Sequence, residues 1–512
     1  MALQQHEHAA PIAWAIAGSD SGGGAGIQAD LATFRDFGVH GCTVVTALTA
    51  QNSVAMVESL ATPAAHVGAQ IETLAADLTP AAIKLGMLAQ PDIIDTVAGY
   101  LANYAGPVVL DPVLRSSTGA VLMTSAEMTS TDNAMEAMRA LLPHVAVVTP
   151  NIAEAQALTG RVIDDQQSLC AAAHRLVALG ARSALVTGGH FRREPLDRGP
   201  CVDYWTDGER EFYLAGEYLD TPHTHGTGCT LSSAITALLA RGFDLVDALV
   251  VAKAYVTAAI RDARGVGAGP GPVSHGGWPT RLADWPGASD AWPSTPQAPV
   301  FPACRPLGLY PVVDDVAWLE RLLPLGIDTI QLRIKQPSVP SARDRDALRG
   351  QVARAVELAR QHGAQLFIND HWALAIECGA FGVHLGQDDL DSANVAAIAG
   401  AGLRLGVSTH SDFEIARAHQ LRPSYIAIGP IYATTTKKMT FSPRGLVRLQ
   451  RWVNLLGTRY PLTAIGGIDL ERAPGVLATG VGSCAVVRAI TEAPDPAAAV
   501  AELLMLHCRP DA

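Results

Sequence analysis

AIAGSDSGGGAGIQAD, residues 15–30, runs from an apolar stretch through a glycine-rich turn into the start of a helix. The apolar residues do not alternate with polar ones, as expected of a strand covered on both faces. Strand, tight turn and helix in that order open a doubly wound α/β domain. Outward from this stretch, AWAIAG (13–18) is followed by β-rich runs at CTVVTAL (42–48), AAIKLGM (81–87), PVVLDPV (107–113), VAVVTPN (145–151) and SALVTGG (183–189). Helical runs lie between them. The reading is an open, doubly wound sheet that takes its ligands beyond the carboxyl ends of the strands.

The pattern then breaks and resumes. From Gly265 to Pro306 there are seven Gly and nine Pro in 42 residues, with Trp278, Trp285 and Trp292 spaced seven apart. So much Gly and Pro reads as a loop-rich tail and a linker. The tryptophans read as anchors onto a domain surface rather than a partner site. The expected division is a first domain over 1–280, a Pro-rich linker over 281–306 and a second domain over 307–512. In the second, short β-rich runs appear at GLYPVV (308–313), DTIQLRI (328–334), QLFIND (365–370), GVHLG (382–386), LRLGVS (403–408), YIAIGP (425–430), LTAIGG (462–467) and CAVVRAI (484–490). Eight βα units in about 205 residues is the arithmetic of a (β/α)8 TIM barrel.

Composition narrows the function classes. The 512 residues are 49% hydrophobic and 17% charged, against about 25% charged in typical soluble chains. That balance excludes disorder and coiled coil. A net charge of −12 makes a general nucleic-acid surface unexpected. The eight cysteines show no CxxC or Cys/His zinc spacing. MALQQHEHAA (1–10) lacks the basic and apolar segments of a signal peptide. No charge-free apolar run approaches the ~18–20 residues of a membrane helix. A cytoplasmic enzyme with small-molecule partners, no nucleic acid and no membrane is the expectation.

In the first domain Gly24, Gly26 and Ala29 satisfy G-x-G-x-x-A, but the acidic residue expected about 20 positions on is missing, which leaves a purely structural turn as the alternative. THGTGCTLSSAI (224–235) is sharper: Gly226 and Gly228 precede a helix whose free N–H groups and dipole make an anion hole for a phosphoryl group. Cys229 falls in the first turn, where the dipole is expected to lower the thiol pKa and make a general base; the alternative is an inert buried cysteine.

GSDSGGGAGIQADL, TALTAQNS, IKLGML, LDPV, TPNIAEA and HGTGCTLS together resemble hydroxymethylpyrimidine/phosphomethylpyrimidine kinase of the ribokinase-like superfamily, over about residues 12–280. The resemblance implies that ATP phosphorylates the hydroxymethylpyrimidine and then its monophosphate. It implies that Gly18, Asp30, Gln51 and Met87 shape the pyrimidine pocket and that Cys229 takes the place of the usual Asp base. Asp111, Asn151 and Glu154 would organise Mg²⁺ and the ATP phosphates, since Mg²⁺ prefers oxygen ligands. Thr187 stands where the family has Lys. Pyridoxal kinase shares the fold, but the TAQNS and GSDSGGGAGIQAD strings argue against it. Dimer formation in ribokinase-like kinases implies a homo-oligomer.

In the second domain QLRIK (331–335) is expected to aim Gln331, Arg333 and Lys335 into the barrel mouth by strand alternation. Two cations there suit a diphosphate clamp, the alternative being solvated surface charges. Asp370 and Asp389 end adjacent strands and suit Mg²⁺, although either alone reads equally as a helix cap. ATTTKK (433–438) adds hydroxyls and Lys437, and AIGGI (464–468) adds backbone N–H groups. Together these resemble thiamine-phosphate synthase over about residues 307–508. The resemblance implies that Gln331, Arg333, Lys335, Asn369 and Ser408 hold the pyrimidine diphosphate, Lys437 its diphosphate, and Asp370 and Asp389 Mg²⁺. Thr434, Thr436, Gly467, Val487 and Arg488 would hold the thiazole phosphate, with Arg488 replacing a small residue. A thiazole tautomerase shares the barrel, but the intact QxRxK with both Asp residues argues against it. The two resemblances name consecutive steps of thiamine biosynthesis. A fusion with one idle half and a precursor-binding protein are the competing readings.

Overall fold

The unbroken apolar run that opens the chain becomes β1 (Ile12–Asp20), the strand on which the first sheet is organised. The computed structural model describes residues 10–114, 131–189, 199–293, 300–434 and 443–507. Its contacts divide the chain into two units, Met1–Thr295 and Pro296–Ala512.

In the first unit β1 pairs in parallel with β2 (His40–Gln51) on one side. On the other it pairs in parallel with β4 (Ala82–Leu85), register Ile16↔Leu85. β3 (Met56–Ala61) adds antiparallel to β2. β5 (Val108–Leu110), β6 (Val147–Val148) and β7 (Ala184–Val186) continue the parallel centre. β8 (Cys201–Thr206), β9 (Glu211–Gly216) and β10 (Gly287–Ser289) close the far edge antiparallel, making ten strands in the order β10-β9-β8-β7-β6-β5-β4-β1-β2-β3. Trp14, Ile16, Val44, Ile83, Leu85 and Leu110 meet in one buried core. Because the chain leaves β1 to one side and returns on the other, a crevice opens past its carboxyl end, where Asp20 stands.

The Gly/Pro-rich seam differs from a free linker. Ala288 of β10 pairs with Leu214, Trp285 is buried, and Asp284 is held by Arg261 and Arg281 at 2.7 Å each. Trp278 packs edge-on against Phe37, ring centroids 5.4 Å apart, and Trp292 against Tyr213 at 5.5 Å. The seam's first part therefore belongs to the first unit, because buried apolar side chains outweigh a composition that discourages regular structure.

The second unit closes eight parallel strands into a barrel: β11 (Gly308–Val313), β12 (Thr329–Leu332), β13 (Gln365–Asn369), β14 (Gly382–Leu385), β15 (Arg404–Thr409), β16 (Tyr425–Ile428), β17 (Leu462–Ile465) and β18 (Ser483–Val486). Pairing of Leu309 with Cys484 shuts it. The covering helices carry their own stop signals. Before the Ala342–His362 helix, Ser341 Oγ accepts from Asp344 N while Asp344 accepts from Ser341 N at 2.8 Å, and Gly363 ends it in the left-handed region. Among the described residues no helix is long and apolar enough to cross a membrane.

Candidate active sites

The crevice beyond β1 holds a cavity of about 1090 Å³. Its framework is two interlocked glycine turns. Asp20 ends β1 and accepts from the backbone N–H of Gly22 (2.8 Å), Gly24 (3.1 Å) and Ala25 (2.9 Å). His225 Nε2 lies 3.1 Å from the same carboxylate. Burial works against ionised Asp20, but the hydrogen bond from His225 and those from the turn hold its carboxyl below the usual range. Gly226, at φ +82°, begins the Thr227–Ala240 helix, and a Cβ there would stand 2.0 Å from the Gly24 carbonyl oxygen. The N–H groups of Gly228 and Cys229 have no acceptor within their own helix, and the helix N-terminus lines the cavity.

Gly18, Gln51, Met87, Asp111, Asn151, Glu154, Gly226, Gly228 and Cys229 all line this cavity. Gln51 Nε2 sits 3.5 Å from His225 Nε2, and a Cβ on Gly18 would meet Met87 Cε at 2.5 Å. Asp30 does not line it. Fully buried, its carboxylate accepts from Lys84 Nζ on each oxygen at 2.9 Å and from Ser233 Oγ at 2.6 Å. Burial raises Asp30 and opposes the charge on Lys84, but three hydrogen bonds favour the ion pair, and Asp30 holds Lys84 above its usual value. Lys84 lines the cavity in its stead. It is the residue the sequence reading missed, although a lysine inside the apolar run AAIKLGM was its signal.

The thiol corrects an expectation. Part of Cys229 reaches the cavity, yet burial, then the negative Asp111 and Asp30 against the partial relief of Lys84, push its thiol up to about 12 rather than down. Burial and two nearby carboxylates outweigh one lysine and one helix dipole. The thiol hydrogen-bonds Asp111, whose carboxyl burial and Asp30 push up to about 6 against the pull of Lys84. Glu154 is pushed to about 8 by burial and Asp111. The N-x-x-E spacing proves to be a capping box, Glu154 N donating to Asn151 Oδ1 at 3.0 Å and Asn151 N to Glu154 Oε2 at 2.9 Å. Thr187 lines the cavity too; at this end a second lysine, Lys253, is paired with Asp203 at 2.7 Å.

At the carboxyl end of the barrel strands lies a cavity of about 470 Å³. Gln331, Arg333, Asn369, Asp370, Asp389, Ser408, Thr434, Gly467, Val487 and Arg488 line it. Lys335 does not. β12 ends at Leu332, so strand alternation stops before Lys335, which is exposed in the following loop. Thr436 and Lys437 lie outside the described residues. Asp370, at φ +63°, and Asp389 share a hydrogen bond, and burial followed by the Asp389 charge pushes Asp370 up to about 6. Two carboxylates that repel and share a proton suit an oxygen-preferring divalent cation. Gly467, at φ +65°, brings the β17 turn so close that a Cβ would meet the Ala433 carbonyl oxygen at 2.5 Å. Among the described residues no group of three or more His, Cys, Asp or Glu forms a metal cluster. His384, missed from VHLG, is pushed down to about 3 by burial and then by Arg333 and His410, and is neutral.

A sheet crevice into which a glycine-turn helix N-terminus opens, and a barrel mouth lined by an arginine and an acidic pair, fit a two-domain transferase handling phosphorylated small molecules. Residues 20–274 match the family model for phosphomethylpyrimidine kinase and residues 309–490 that for thiamine monophosphate synthase. A thiamine-phosphate synthase of Pectobacterium atrosepticum is 55% identical over 212 residues, 41% of this chain and 97% of that protein. Among solved structures, the phosphomethylpyrimidine kinase of Clostridium difficile is 34% identical (49% of this chain, 99% of that one, TM-score 0.41). The pyridoxal kinase of Staphylococcus aureus in complex with ADP is 32% identical (55% and 98%, TM-score 0.48). The chain belongs to the thiamine-phosphate synthase family, fused to a phosphomethylpyrimidine kinase domain, and is a bifunctional enzyme of thiamine biosynthesis.

Proposed function

We propose that the first unit uses ATP to phosphorylate 4-amino-5-hydroxymethyl-2-methylpyrimidine and then its monophosphate, and that the barrel couples the resulting diphosphate to hydroxyethylthiazole phosphate. The observation that carries this reading is that each unit gathers, around one cavity, most of the residues its family resemblance named. In the kinase unit Gly18, Gln51 and Met87 hold the pyrimidine. Asp111 and Glu154, with carboxyls raised by burial and repulsion, would hold Mg²⁺, which would neutralise charge on the ATP phosphates. The N–H groups of Gly228 and Cys229 stabilise the phosphoryl group in transfer. Cys229 is protonated at rest; to serve as the base it would first lose that proton to solvent in the cavity, with Lys84 steadying the thiolate, and then take the hydroxymethyl proton.

In the barrel Asp370 and Asp389 would hold a second Mg²⁺ and Arg333 would fork onto the diphosphate, with Lys335 just beyond it in the loop. The methylene–oxygen bond breaks, pyrophosphate departs with the electron pair, and the thiazole nitrogen's lone pair forms the new carbon–nitrogen bond. Asn369 and Ser408 hold the pyrimidine side. Thr434, Gly467, Val487 and Arg488 hold the thiazole phosphate, joined in this reading by Thr436 and Lys437. The setting is the cytoplasm, and the working form a homo-oligomer.

The test is a single reaction of full-length protein, ATP, Mg²⁺, the hydroxymethylpyrimidine and thiazole phosphate, assayed for thiamine phosphate. Cys229→Ala is expected to abolish pyrimidine phosphorylation while supplied pyrimidine diphosphate still couples; Arg333→Ala is expected to do the reverse. Absence of product, with both partial reactions silent, sinks the reading.

A further inference from the structure

Breaking a methylene–oxygen bond leaves its electron pair on the departing pyrophosphate, whose oxygen is then more basic than it was in the ester. A proton donor beside that oxygen speeds departure. Few side chains of the barrel wall can be that donor. Arg333 keeps its protons, and Asp370 and Asp389 are the pair read above as holding the cation. Asp469 and Glu492 line the far side, beyond β17 and β18. Among the described residues two histidines also line the cavity, His384 and His410. His384 is buried, with Nδ1 2.6 Å from Tyr425 Oη and Nε2 2.8 Å from Ser408 Oγ. Burial, then the charges of Arg333 and His410, keep it neutral, so it has no proton to spare.

His410 is held differently. It follows Thr409, the last residue of β15, as Asp370 and Asp389 follow the ends of β13 and β14. Three neighbouring strands thus bring these side chains to one part of the mouth. His410 Nδ1 lies 2.7 Å from Glu414 Oε2, and the same oxygen accepts from the His410 backbone N–H at 2.6 Å. A carboxylate only accepts, so the Nδ1 hydrogen is directed at Glu414, and Nε2 is the nitrogen that gains and loses a proton. Glu414 is itself fixed. Its N–H donates to Ser411 Oγ at 3.2 Å at the start of the Asp412–Leu421 helix. Asp412, fully buried, accepts from Trp452 Nε1 at 2.8 Å and Arg451 Nη2 at 3.2 Å. On an open surface such an i, i+4 pair contributes little. This one is mostly covered, its side chains 16% and 22% exposed, and its ring lines the cavity. A carboxylate behind an imidazole orients the ring and balances its charge.

We propose that His410, oriented by Glu414, is a catalytic residue of the barrel that donates its Nε2 proton to pyrophosphate as it leaves. The methylene–oxygen bond breaks, its electron pair goes to the diphosphate oxygen, and that oxygen takes the proton. The ring is left neutral, with its remaining hydrogen on Nδ1 toward Glu414, and regains a proton from solvent before the next turnover. Glu414 acts through His410 and is a positioning residue. The proposal rests on the synthase reading above and adds to it the group that carries the proton.

The experiment uses the full chain with Mg²⁺, supplied pyrimidine diphosphate and thiazole phosphate, so that the kinase half is bypassed. His410→Ala is expected to lower the coupling rate in a single turnover about a hundredfold or more, with KM for both substrates within about threefold. Glu414→Gln loses about tenfold. Added imidazole restores part of the His410→Ala rate. Pyrazole, of the same size but hardly protonated at neutral pH, does not, whereas a gap that needed only filling would accept either. Wild type couples more slowly in D2O than in H2O, and His410→Gln loses that difference together with the rate; this variant carries the test should His410→Ala not fold. A rate within threefold of wild type in either His410 variant overturns the proposal and leaves the synthase reading standing. So does equal rescue by the two azoles, or a wild-type rate indifferent to D2O. A wild type that couples no pyrimidine diphosphate sinks both.

Discussion

At the scale of single residues the surroundings of Cys229 and Asp370 decide more than their identity. A thiol pushed up to about 12 is a poor nucleophile at neutral pH, despite its place at a helix N-terminus. Cys229 is expected to react with iodoacetamide at pH 7.5 more slowly than glutathione, read by mass spectrometry of the labelled peptide; faster labelling would restore the activated thiol. Asp370 works the other way round. Its carboxyl rises from 3.8 to about 6, so between these values the folded protein holds a proton that the unfolded chain has released. Stability from this group is therefore greatest at low pH and is lost as pH rises through that window. A divalent cation bound there would take the proton's place, so Mg²⁺ binding in the presence of pyrophosphate is expected to strengthen as pH rises past about 6. Calorimetry at pH 5 and 7.5, with Asp389→Asn subtracting the barrel site, measures it; equal affinity at both values removes the acidic pair as the site. Neither shift was legible in the chain's order, because each depends on charges brought in from elsewhere. Asp111 and Lys84 meet Cys229 from across 118 and 145 positions of sequence.

At the scale of elements, the rhythm of strand and helix was legible because each period buries an apolar face, and the order of the barrel strands followed from it. What failed to show were ends and pairings. β12 stops at Leu332, which takes Lys335 off the cavity, and the strand Gly287–Ser289 hides in a composition that argues against one. The glycine turns were legible as turns, but their mutual fit was not: Gly24 meets Gly226 across some 200 residues. That fit carries a prediction. With φ at +82° and a Cβ 2.0 Å from backbone, Gly226→Ala cannot relax by moving a flexible side chain. The anion hole must shift, and misplacement by about 1 Å costs on the order of a hundredfold in rate. Phosphorylation is expected to fall by at least that much while coupling of supplied pyrimidine diphosphate is unchanged. A kinase rate within threefold of wild type means that the turn does not shape the phosphoryl site.

At the scale of the whole molecule, the kinase cavity and the barrel cavity are each lined, among the described residues, from one unit alone. The compound that links them is a small, soluble diphosphate. Chemistry therefore does not require that one chain perform both steps. A mixture of full-length Cys229→Ala and full-length Arg333→Ala, each silent by itself in the complete reaction, is expected to make thiamine phosphate. Turnover of about 10 per second is slow against diffusive encounter with a small molecule, so at micromolar protein the steady rate should approach that of wild type diluted to half. The time course adds a second reading. Free diphosphate must first accumulate in the mixture, so its product curve begins with a lag that shortens as protein concentration rises. If wild type at the same concentration shows the same lag, the intermediate passes through solution in the native enzyme as well. If the mixture makes no product although each variant retains its partial reaction, the two halves must act on one chain, and the independence argued from their separate cavities is wrong.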